Sequence, residues 1–422
     1  IPLRLVGSEM CIRDSSCSSG SPPVISTSGH AYWLTSSSTS STVRLRPSWK
    51  AYGVSHQEQR RSHAVNRTKT HRSPACVDSP WIEWKTSFTV SMLSFHYPTV
   101  VGTLRIGTSG WSYPRGRGTW NGVFYPPKER RPKGFDELSF YAEHFDTVEV
   151  NSTFYGQPRP EITRRWAERT PDGFSFSVKL YQKFTHPRMY EESVRRTLGG
   201  LESEPAVVHE LARPTMADLD EFRRGIDPLA RSGRLGAVLA QFPPSFRSGP
   251  AERDYLAHLL DALSEYEVAV ELRHSTWSDA FGETLALLDT SQAAWVQIDE
   301  PKFRFSIRQN RLPNVKGFYY MRLHGRNAAQ WWRHDASEDR YDYLYTADEL
   351  KAFSETAEAA RRLVKKAYLY TNNHFSAKSV ANATMIKQQL GEPITGEYTP
   401  EFVARFPGLA GVVAVRARQS LT

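Results

Sequence analysis

The sequence predicts an α/β protein that folds as a single TIM-like (β/α)8 barrel. Eight short runs rich in β-branched and aromatic residues recur between Leu104 and Asn373, and stretches with apolar residues at helical spacing separate most of them. Alternating strands and helices indicate parallel strands joined by crossover helices, and eight such units close into a barrel. An open doubly wound sheet is the alternative, but no G-x-G-x-x-G turn follows the first run.

The elements follow one another regularly along the predicted barrel domain, residues 104–422. Predicted strands occupy residues 104–110, 147–154, 174–180, 235–242, 268–273, 293–299, 317–325 and 366–373. Helical spacing is found in residues 135–145, 162–170, 216–232, 252–266, 279–290 and 347–366.

Residues 1–103 are predicted to be a non-native or disordered extension. Segments such as 15–23 (SSCSSGSPP) and 35–43 (TSSSTSSTV) are rich in serine and threonine and show no strand or helix periodicity. Such segments cannot bury enough apolar surface to offset the entropy of ordering. A targeting peptide is the alternative, and Met92 is a candidate start.

The net charge of +9 suggests a nucleic-acid partner, but it is unevenly distributed. Residues 1–100 carry 11 Lys/Arg against 5 Asp/Glu, and the remaining residues carry 43 against 40, so the barrel is nearly neutral. All three cysteines lie before residue 104, which excludes disulfides and thiolate zinc sites from the barrel and fits a reducing, cytoplasmic location. No run of eighteen apolar residues occurs, so no membrane-spanning helix is predicted.

Six of the predicted strands have one apolar and one polar face. In a barrel one face contacts the helices and the other lines the interior, so the polar face is predicted to line the interior. The predicted interior charges are balanced: Glu149, Glu271 and Asp299 against Lys179, Arg273 and Arg322. Buried charges need partners. We therefore expect either a self-paired ionic core or, as the favoured interpretation, a ligand pocket at the carboxyl ends of the strands.

Carboxylates and histidines at strand ends are the candidate catalytic groups. Glu149 and Glu271 can act as an acid–base pair, as in glycosidases, or pair structurally with Arg273 or Lys179. His324 and His374, with Glu149, Glu271 and Asp299, can alternatively ligate a divalent metal, although no H-x-H or H-E-x-x-H pattern supports this. The sequence leaves the metal, the cofactor and the oligomeric state open.

An anion site is the most natural use of the interior cations Lys179, Arg273 and Arg322, because arginine binds phosphate and carboxylate through a bidentate fork. The other candidate substrate-binding residues are amides and aromatics near strand ends: Asn151, Asn372, Asn373, Trp111 and Tyr113. Aromatics in the loops after the strands can stack on sugars or bases, or pack the loops over the barrel.

Ordered motifs resemble those of the YecE-like family, domain of unknown function 72. They are GTSGWSY, FYPP, VEVNSTFY, FSVK, the TH pair at 185–186, QFPPSF, ELRHSTW, RLHGR, YDYLY and NNHFSAKSVANA, over about residues 104–391. The resemblance implies a TIM-like barrel without an assigned reaction. One departure is the segment after Tyr113, PRGRGTWNGVFYPP, which is longer than the family usually shows.

Two functions remain open at this point. The first is an enzyme, a hydrolase or isomerase, that acts by acid–base chemistry on a small phosphorylated or sugar-like substrate. The second is a nucleic-acid-binding or endonuclease-like repair barrel, suggested by fold analogy and by loop arginines at positions 115, 117, 326 and 333.

Overall fold

The barrel prediction is confirmed. A computed structural model describes residues 101–198, 205–309, 317–333 and 335–417. In this part of the chain nine strands form one parallel sheet, in the order β6-β5-β4-β3-β2-β1-β9-β8-β7. The end strands β6 and β7 are separated only by Val296, whose N–H donates to Val270 O, so the sheet is nearly closed. The predicted extension, residues 1–103, lies outside the described residues except for its last three positions, and Thr103 already begins β1.

The strands lie where the sequence predicts them. Their bounds are β1 Thr103–Ser109, β2 Thr147–Val150, β3 Ser175–Lys179, β4 Leu235–Gln241, β5 Val268–Glu271, β6 Ala294–Trp295, β7 Gln297–Asp299, β8 Tyr319–Leu323 and β9 Lys366–Thr371. Near the C-terminal end, β10 Glu397–Tyr398 and β11 Ala414–Val415 form a small separate parallel pair.

Helices fill most connections, and every stretch predicted to be helical contains one. Their bounds are α1 Glu137–Ala142, α2 Ser152–Tyr155, α3 Pro160–Glu168, α4 Gln182–Thr185, α5 Pro187–Thr197, α6 Pro205–Ala212, α7 Met216–Arg231, α8 Pro250–Ala262, α9 Ser275–Asp279, α10 Phe281–Thr290, α11 Ala328–Trp331, α12 Ala347–Arg361, α13 Lys378–Leu390 and α14 Pro400–Arg405. Short 3-10 turns occupy Lys128–Arg130, Ser337–Tyr341, Phe375–Ala377 and Pro407–Leu409. None of the helices in the described ranges is long and apolar enough to cross a bilayer.

Side-chain oxygens begin the longest helices. Thr215 and Thr346 close capping boxes with Asp218 and Glu349 at the starts of α7 and α12. Each box satisfies backbone N–H groups that have no partner inside the helix. The fully buried, outward-facing strand residues belong to the hydrophobic core between the sheet and the surrounding helices: Val148, Phe176, Val238, Val270, Met321 and Leu369.

The register of the sixth barrel strand reverses one predicted face. Trp295 pairs with Val270, and Asp299 pairs with Leu323, both on outward-facing positions. Trp295 accordingly contacts Phe281 of α10 (ring centroids 5.5 Å apart). The predicted interior position of Asp299 is therefore wrong: Trp295, Gln297 and Asp299 face outward, and Val296 and Ile298 take the interior positions. Alternation has the same period whichever face is buried, so the pattern alone cannot distinguish the two registers.

The second predicted strand ends earlier than expected. Asn151 leaves the extended conformation (φ −94°, ψ −19°), and Ser152–Tyr155 form the short helix α2. The hydroxyl of Thr153 donates to Lys179 O at the end of β3 (2.6 Å), which fixes this turn over the neighbouring strand. The turn places Phe154 over the carboxyl end of the barrel instead of on the outer face.

Candidate functional site

A saturated ionic core lies inside the upper half of the barrel. Arg322 on β8 donates from Nε to Glu149 Oε2 (2.9 Å) and from Nη2 to Glu149 Oε1 (2.6 Å), which makes a bidentate pair with β2. Its Nη1 donates to Glu271 Oε2 on β5 and to Gln241 Oε1 on β4 (2.9 Å to the latter). All of these side chains except Gln241 are buried. The self-paired ionic core predicted as one alternative is therefore present.

Neighbouring hydroxyls and charges complete this core. Tyr320 OH donates to Glu149 Oε2 (2.8 Å), so both carboxylate oxygens of Glu149 accept hydrogen bonds. Burial alone would raise the pKa of Glu271, but the positive charges of Arg322 and Arg273 outweigh it and hold that pKa well below its ordinary value. Burial alone would lower the pKa of the Arg322 guanidinium, yet Glu149 and Glu271 raise it. Glu271 and Arg322 therefore stay ionised, and their ion pair holds both side chains in place.

Arg273 connects the core to the mouth of the barrel. Its Nε donates to Glu271 Oε1 (2.7 Å), and its Nη1 lies 3.5 Å from Glu300 Oε2. His324 lies beside it, with Asn372 Nδ2 2.9 Å from Nδ1 and Glu271 Oε1 3.4 Å from Nε2. Burial is the main cause that lowers the pKa of His324 to about 3, and Arg322 and Arg273 add to the effect, so its ring is neutral near pH 7.

Lys179 differs from the other two interior cations. It ends β3 in register with the interior residues Leu239 and Ala269, and it is half-buried. Its Nζ has no hydrogen bond or ion pair with any residue that the structure describes, and lies 4.0 Å from the centroid of the Phe154 ring. Burial and the charges of Arg322 and Arg273 lower the pKa of Lys179 to about 7, against the opposing charge of Glu271.

The sequence interpretation missed two residues at the mouth. Glu300 is the first residue after β7, and the reversed register of that strand turns it toward Arg273. Burial raises the pKa of Glu300 even though Arg273 opposes this. His186 packs edge-on against Phe154 (ring centroids 4.9 Å apart), and burial together with Lys179 lowers its pKa well below the ordinary value. The TH motif at 185–186 could have drawn attention to His186. The interior position of Glu300 could be recognised only once the register of β7 was known.

His374 and Tyr113 form an aromatic stack near the ends of β9 and β1. Their rings are nearly parallel with centroids 4.2 Å apart, and Tyr341 lies 4.5 Å from the other side of His374. Burial lowers the pKa of His374 to about 3, and its buried Nδ1 has no hydrogen-bond partner within the described residues. Trp111 instead packs edge-on against Trp166 of α3 (5.5 Å), away from this stack.

The remaining predicted site residues lie at the rim. The interior position predicted for Asp299 is wrong: its carboxylate faces outward and binds Arg326 Nε (2.8 Å) and Tyr345 OH (2.7 Å). Asn373 is buried, with its Nδ2 donating to Tyr343 O and Asn382 Oδ1 (2.7 Å each). Asn151 immediately precedes α2, and its buried Oδ1 has no hydrogen-bond partner in the described part of the chain.

The structure also bears on the metal and nucleic-acid alternatives. In residues 101–198, 205–309, 317–333 and 335–417, no group of three or more His, Cys, Asp or Glu side chains is arranged to hold a metal ion. Of the loop arginines, Arg117 is paired with Asp339 (2.6 Å) and Arg326 with Asp299 (2.8 Å). Arg115 and Arg333 are exposed, as is Trp332.

Comparison with known proteins identifies the family. The family model described as "Protein of unknown function DUF72" matches residues 105–402. The chain belongs to the DUF72 family. The UPF0759 protein YunF of Bacillus subtilis is 25% identical over 306 residues, which cover 69% of this chain and 96% of YunF. YecE of Escherichia coli K12 is 33% identical over 172 residues, 40% of this chain and 48% of YecE.

Solved DUF72 structures have the same fold. A DUF72 protein of Thermotoga maritima MSB8 matches with a TM-score of 0.55 and 33% identity, and the match covers 69% of this chain and all of that one. A DUF72 protein of Enterococcus faecalis V583 matches with a TM-score of 0.55 at 23% identity, over 70% of this chain and 99% of that one. The resemblance found in the sequence motifs is thereby confirmed.

Proposed function

We propose that the protein is an enzyme that transfers protons on a small anionic substrate, phosphorylated or sugar-like, bound at the carboxyl ends of the barrel strands. The observation that carries this proposal is the difference among the three interior cations. Arg322 and Arg273 are paired with carboxylates, whereas Lys179 has none among the described residues. A lysine without a fixed partner can bind an anion in its charged form and accept a proton in its neutral form.

Lys179 and Glu300 are the proposed acid–base groups. The pKa of Lys179 is lowered to about 7, and burial raises the pKa of Glu300. Both pKa values therefore shift toward neutral pH, that of Lys179 from above and that of Glu300 from below. Acid–base catalysis is most efficient when the pKa of the group lies near the working pH. Arg273, which contacts Glu300 and belongs to the same charge cluster as Lys179, supplies a second positive charge for the substrate anion.

Glu149 and Glu271, predicted as an acid–base pair, receive a positioning role in this proposal. Each carboxylate accepts two or more charge-assisted or hydroxyl hydrogen bonds, and together they hold Arg322 and, through Glu271, Arg273. Arg322 and Arg273 hold the pKa of Glu271 well below its ordinary value, which makes Glu271 a weak base, and hydrogen bonds occupy both oxygens of Glu149. His324 also receives a positioning role. Its ring contacts Asn372 and Glu271, and it lies beside Arg273. A cytoplasmic location, as predicted from cysteine usage, is part of the proposal.

Turnover tests this function most directly. The full chain would be assayed against a panel of sugar phosphates, phosphoesters and sugar acids, followed by Lys179→Met and Glu300→Gln. Each variant is expected to lose roughly 10²–10⁴-fold in kcat/KM, the usual share of a positioned acid or base. Lys183→Met is the matched control, because Lys183 is four residues away but donates to Asp218 Oδ1 (2.9 Å) outside the site. Turnover that both site variants retain, or no turnover across the panel, contradicts the proposal.

The alternative function, a nucleic-acid-binding barrel, rests on fewer residues than the sequence suggested. Arg115, Arg333 and Trp332 are exposed, and Trp332 lies 5.7 Å from the ring of Phe303. Binding of a single-stranded oligonucleotide that weakens steeply with salt and is lost in Trp332→Ala would favour it over the enzyme.

A further inference from the structure

We propose that Lys179 forms an imine with the carbonyl group of a small anionic substrate, either a 2-oxo acid or an open-chain sugar phosphate. This inference rests on the function proposed above and specifies its chemistry. It starts from the position of one amine: Lys179 ends an interior strand, and its Nζ faces the ring of Phe154 at 4.0 Å.

Other buried or half-buried lysines in the described ranges have oxygen partners. Lys183 donates to Asp218 (2.9 Å), and Lys387 donates to His144 O (3.1 Å). Lys378 is paired with Asp342. An ammonium group held by an oxygen must break that contact and lose a proton before its lone pair can react. Lys179 has no such contact with any described residue, so its amine is available once it is neutral.

Burial and the neighbouring arginines favour the neutral amine of Lys179, and they act against the cation–π contact with Phe154 and the charge of Glu271. Burial and the positive charges of Arg322 and Arg273 lower its pKa to about 7. At pH 8 most molecules therefore carry a free lone pair at Nζ. An ordinary lysine, with a pKa near 10.4, is neutral in fewer than about one molecule in a hundred at that pH.

The step balances without any oxidant or reductant. The Nζ lone pair attacks the carbonyl carbon, a C–N bond forms, and a proton moves from nitrogen to oxygen to give a carbinolamine. The C–O bond then breaks, the hydroxyl leaves as water after it takes a proton, and an iminium remains. Glu300, whose pKa is raised by burial, is the proposed donor of that proton, and Arg273 at 3.5 Å from it holds the substrate anion.

Reductive trapping tests the imine. The full chain would be incubated at pH 7 with glyoxylate, the smallest anionic aldehyde, and cyanoborohydride, which reduces an iminium to a stable amine. Intact mass is expected to show one carboxymethyl group, and peptide mapping to place it on Lys179. From the neutral fractions alone, Lys179 should react roughly 1,000-fold faster at pH 7 than an average surface lysine. Lys179→Arg should lose this adduct, and Lys183→Met should keep it.

The outcomes separate the two proposals. Modification spread over surface lysines with Lys179 unmodified overturns the imine. If Lys179 is unmodified but Lys179→Met and Glu300→Gln still abolish turnover on the substrate panel, the proton-transfer function stands and only the imine fails. If Lys179 is selectively modified while turnover is unchanged in both variants, the amine is reactive as proposed and the proposed function fails. Thermal unfolding of each variant shows whether a lost adduct reflects a lost fold.

Discussion

Two groups of charges share one barrel interior, and they are organised in opposite ways. In the ionic core, Arg322 is buried and bound by Glu149 and Glu271, with hydrogen bonds to both oxygens of Glu149. At the mouth, Lys179 has no ionic partner within the described ranges, and the buried Glu300 lies 3.5 Å from Arg273 through an Oε2 that accepts no hydrogen bond there. Because buried charges are costly unless they are paired, the first group is typical of structure and the second of a site that a ligand completes.

Breaking the ionic core is expected to have the largest effect. Arg322→Met leaves the carboxylates of Glu149 and Glu271 buried without their shared cation. The free energy of unfolding should fall by about 3–5 kcal/mol, the usual cost of removing one partner of a buried pair. Urea or guanidinium denaturation measures it.

The matched control is Arg362→Met, which removes an exposed i,i+4 pair with Glu358 on α12. It should change the free energy of unfolding by no more than about 0.5 kcal/mol. If Arg322→Met costs as little as the control, the interior charges do not form an interdependent core.

The difference between these two groups was only partly readable from the sequence. Period-2 alternation was sufficient to place Glu149, Lys179, Glu271 and Arg322 inside, because parallel pairing carries a common face from strand to strand. The alternation does not indicate which cation pairs with each carboxylate, because the ion pairs cross the barrel interior from β2 and β5 to β8.

Strand register and one local turn explain what the sequence could not predict. The strand at residues 294–299 is interrupted at Val296, and the Gln309 side chain bonds Ile298 N (2.9 Å) and Val296 O (2.7 Å). The alternation keeps one phase through this interruption, and the register of the whole strand places Trp295 and Asp299 outward and turns Glu300 toward Arg273. Similarly, the turn at Asn151 places Phe154 over Lys179, although the alternation predicted a continuing strand. The position of Glu300 therefore depends on the strand register and that of Phe154 on a local turn, and the periodicity of the sequence specifies neither.

The pH dependence of the free energy of unfolding should reveal the lowered pKa of Lys179. Its folded-state pKa, about 7, lies below the unfolded value, so between about pH 7 and 10 the unfolded chain binds the extra proton. The free energy of unfolding of the natural protein should therefore rise with pH in this window, by at most about 1.4 kcal/mol per pH unit. Lys179→Met should remove that rise.

Denaturation at several pH values between 6 and 9 measures this effect, with Lys183→Met as the control that keeps the slope because its amine is paired with Asp218. An unchanged slope in Lys179→Met would show that this lysine keeps an ordinary pKa, and the contrast with Arg322 would lose its main support.

Glu300→Gln is expected to change the free energy of unfolding least, and the sign of that change is the most informative. Burial raises the pKa of Glu300, with the negative charge of Glu271 adding to it, so the protonated carboxyl is favoured in the folded state. The stability that this group contributes is complete below the unfolded pKa, near 4.3, and is lost as pH rises through the higher folded pKa. Because glutamine imitates the protonated form, the Glu300→Gln variant should be as stable as the unsubstituted protein at pH 7, or more stable by less than about 1 kcal/mol.

Glu271→Gln should instead lower the free energy of unfolding at pH 7. Arg322 and Arg273 hold the pKa of Glu271 low, so its stabilising charge is present at that pH. Unfolding at pH 4 and pH 7 compares the two variants. If both lose stability at pH 7, Glu300 is a further member of the ionic core, and the mouth holds no acid ready to transfer a proton.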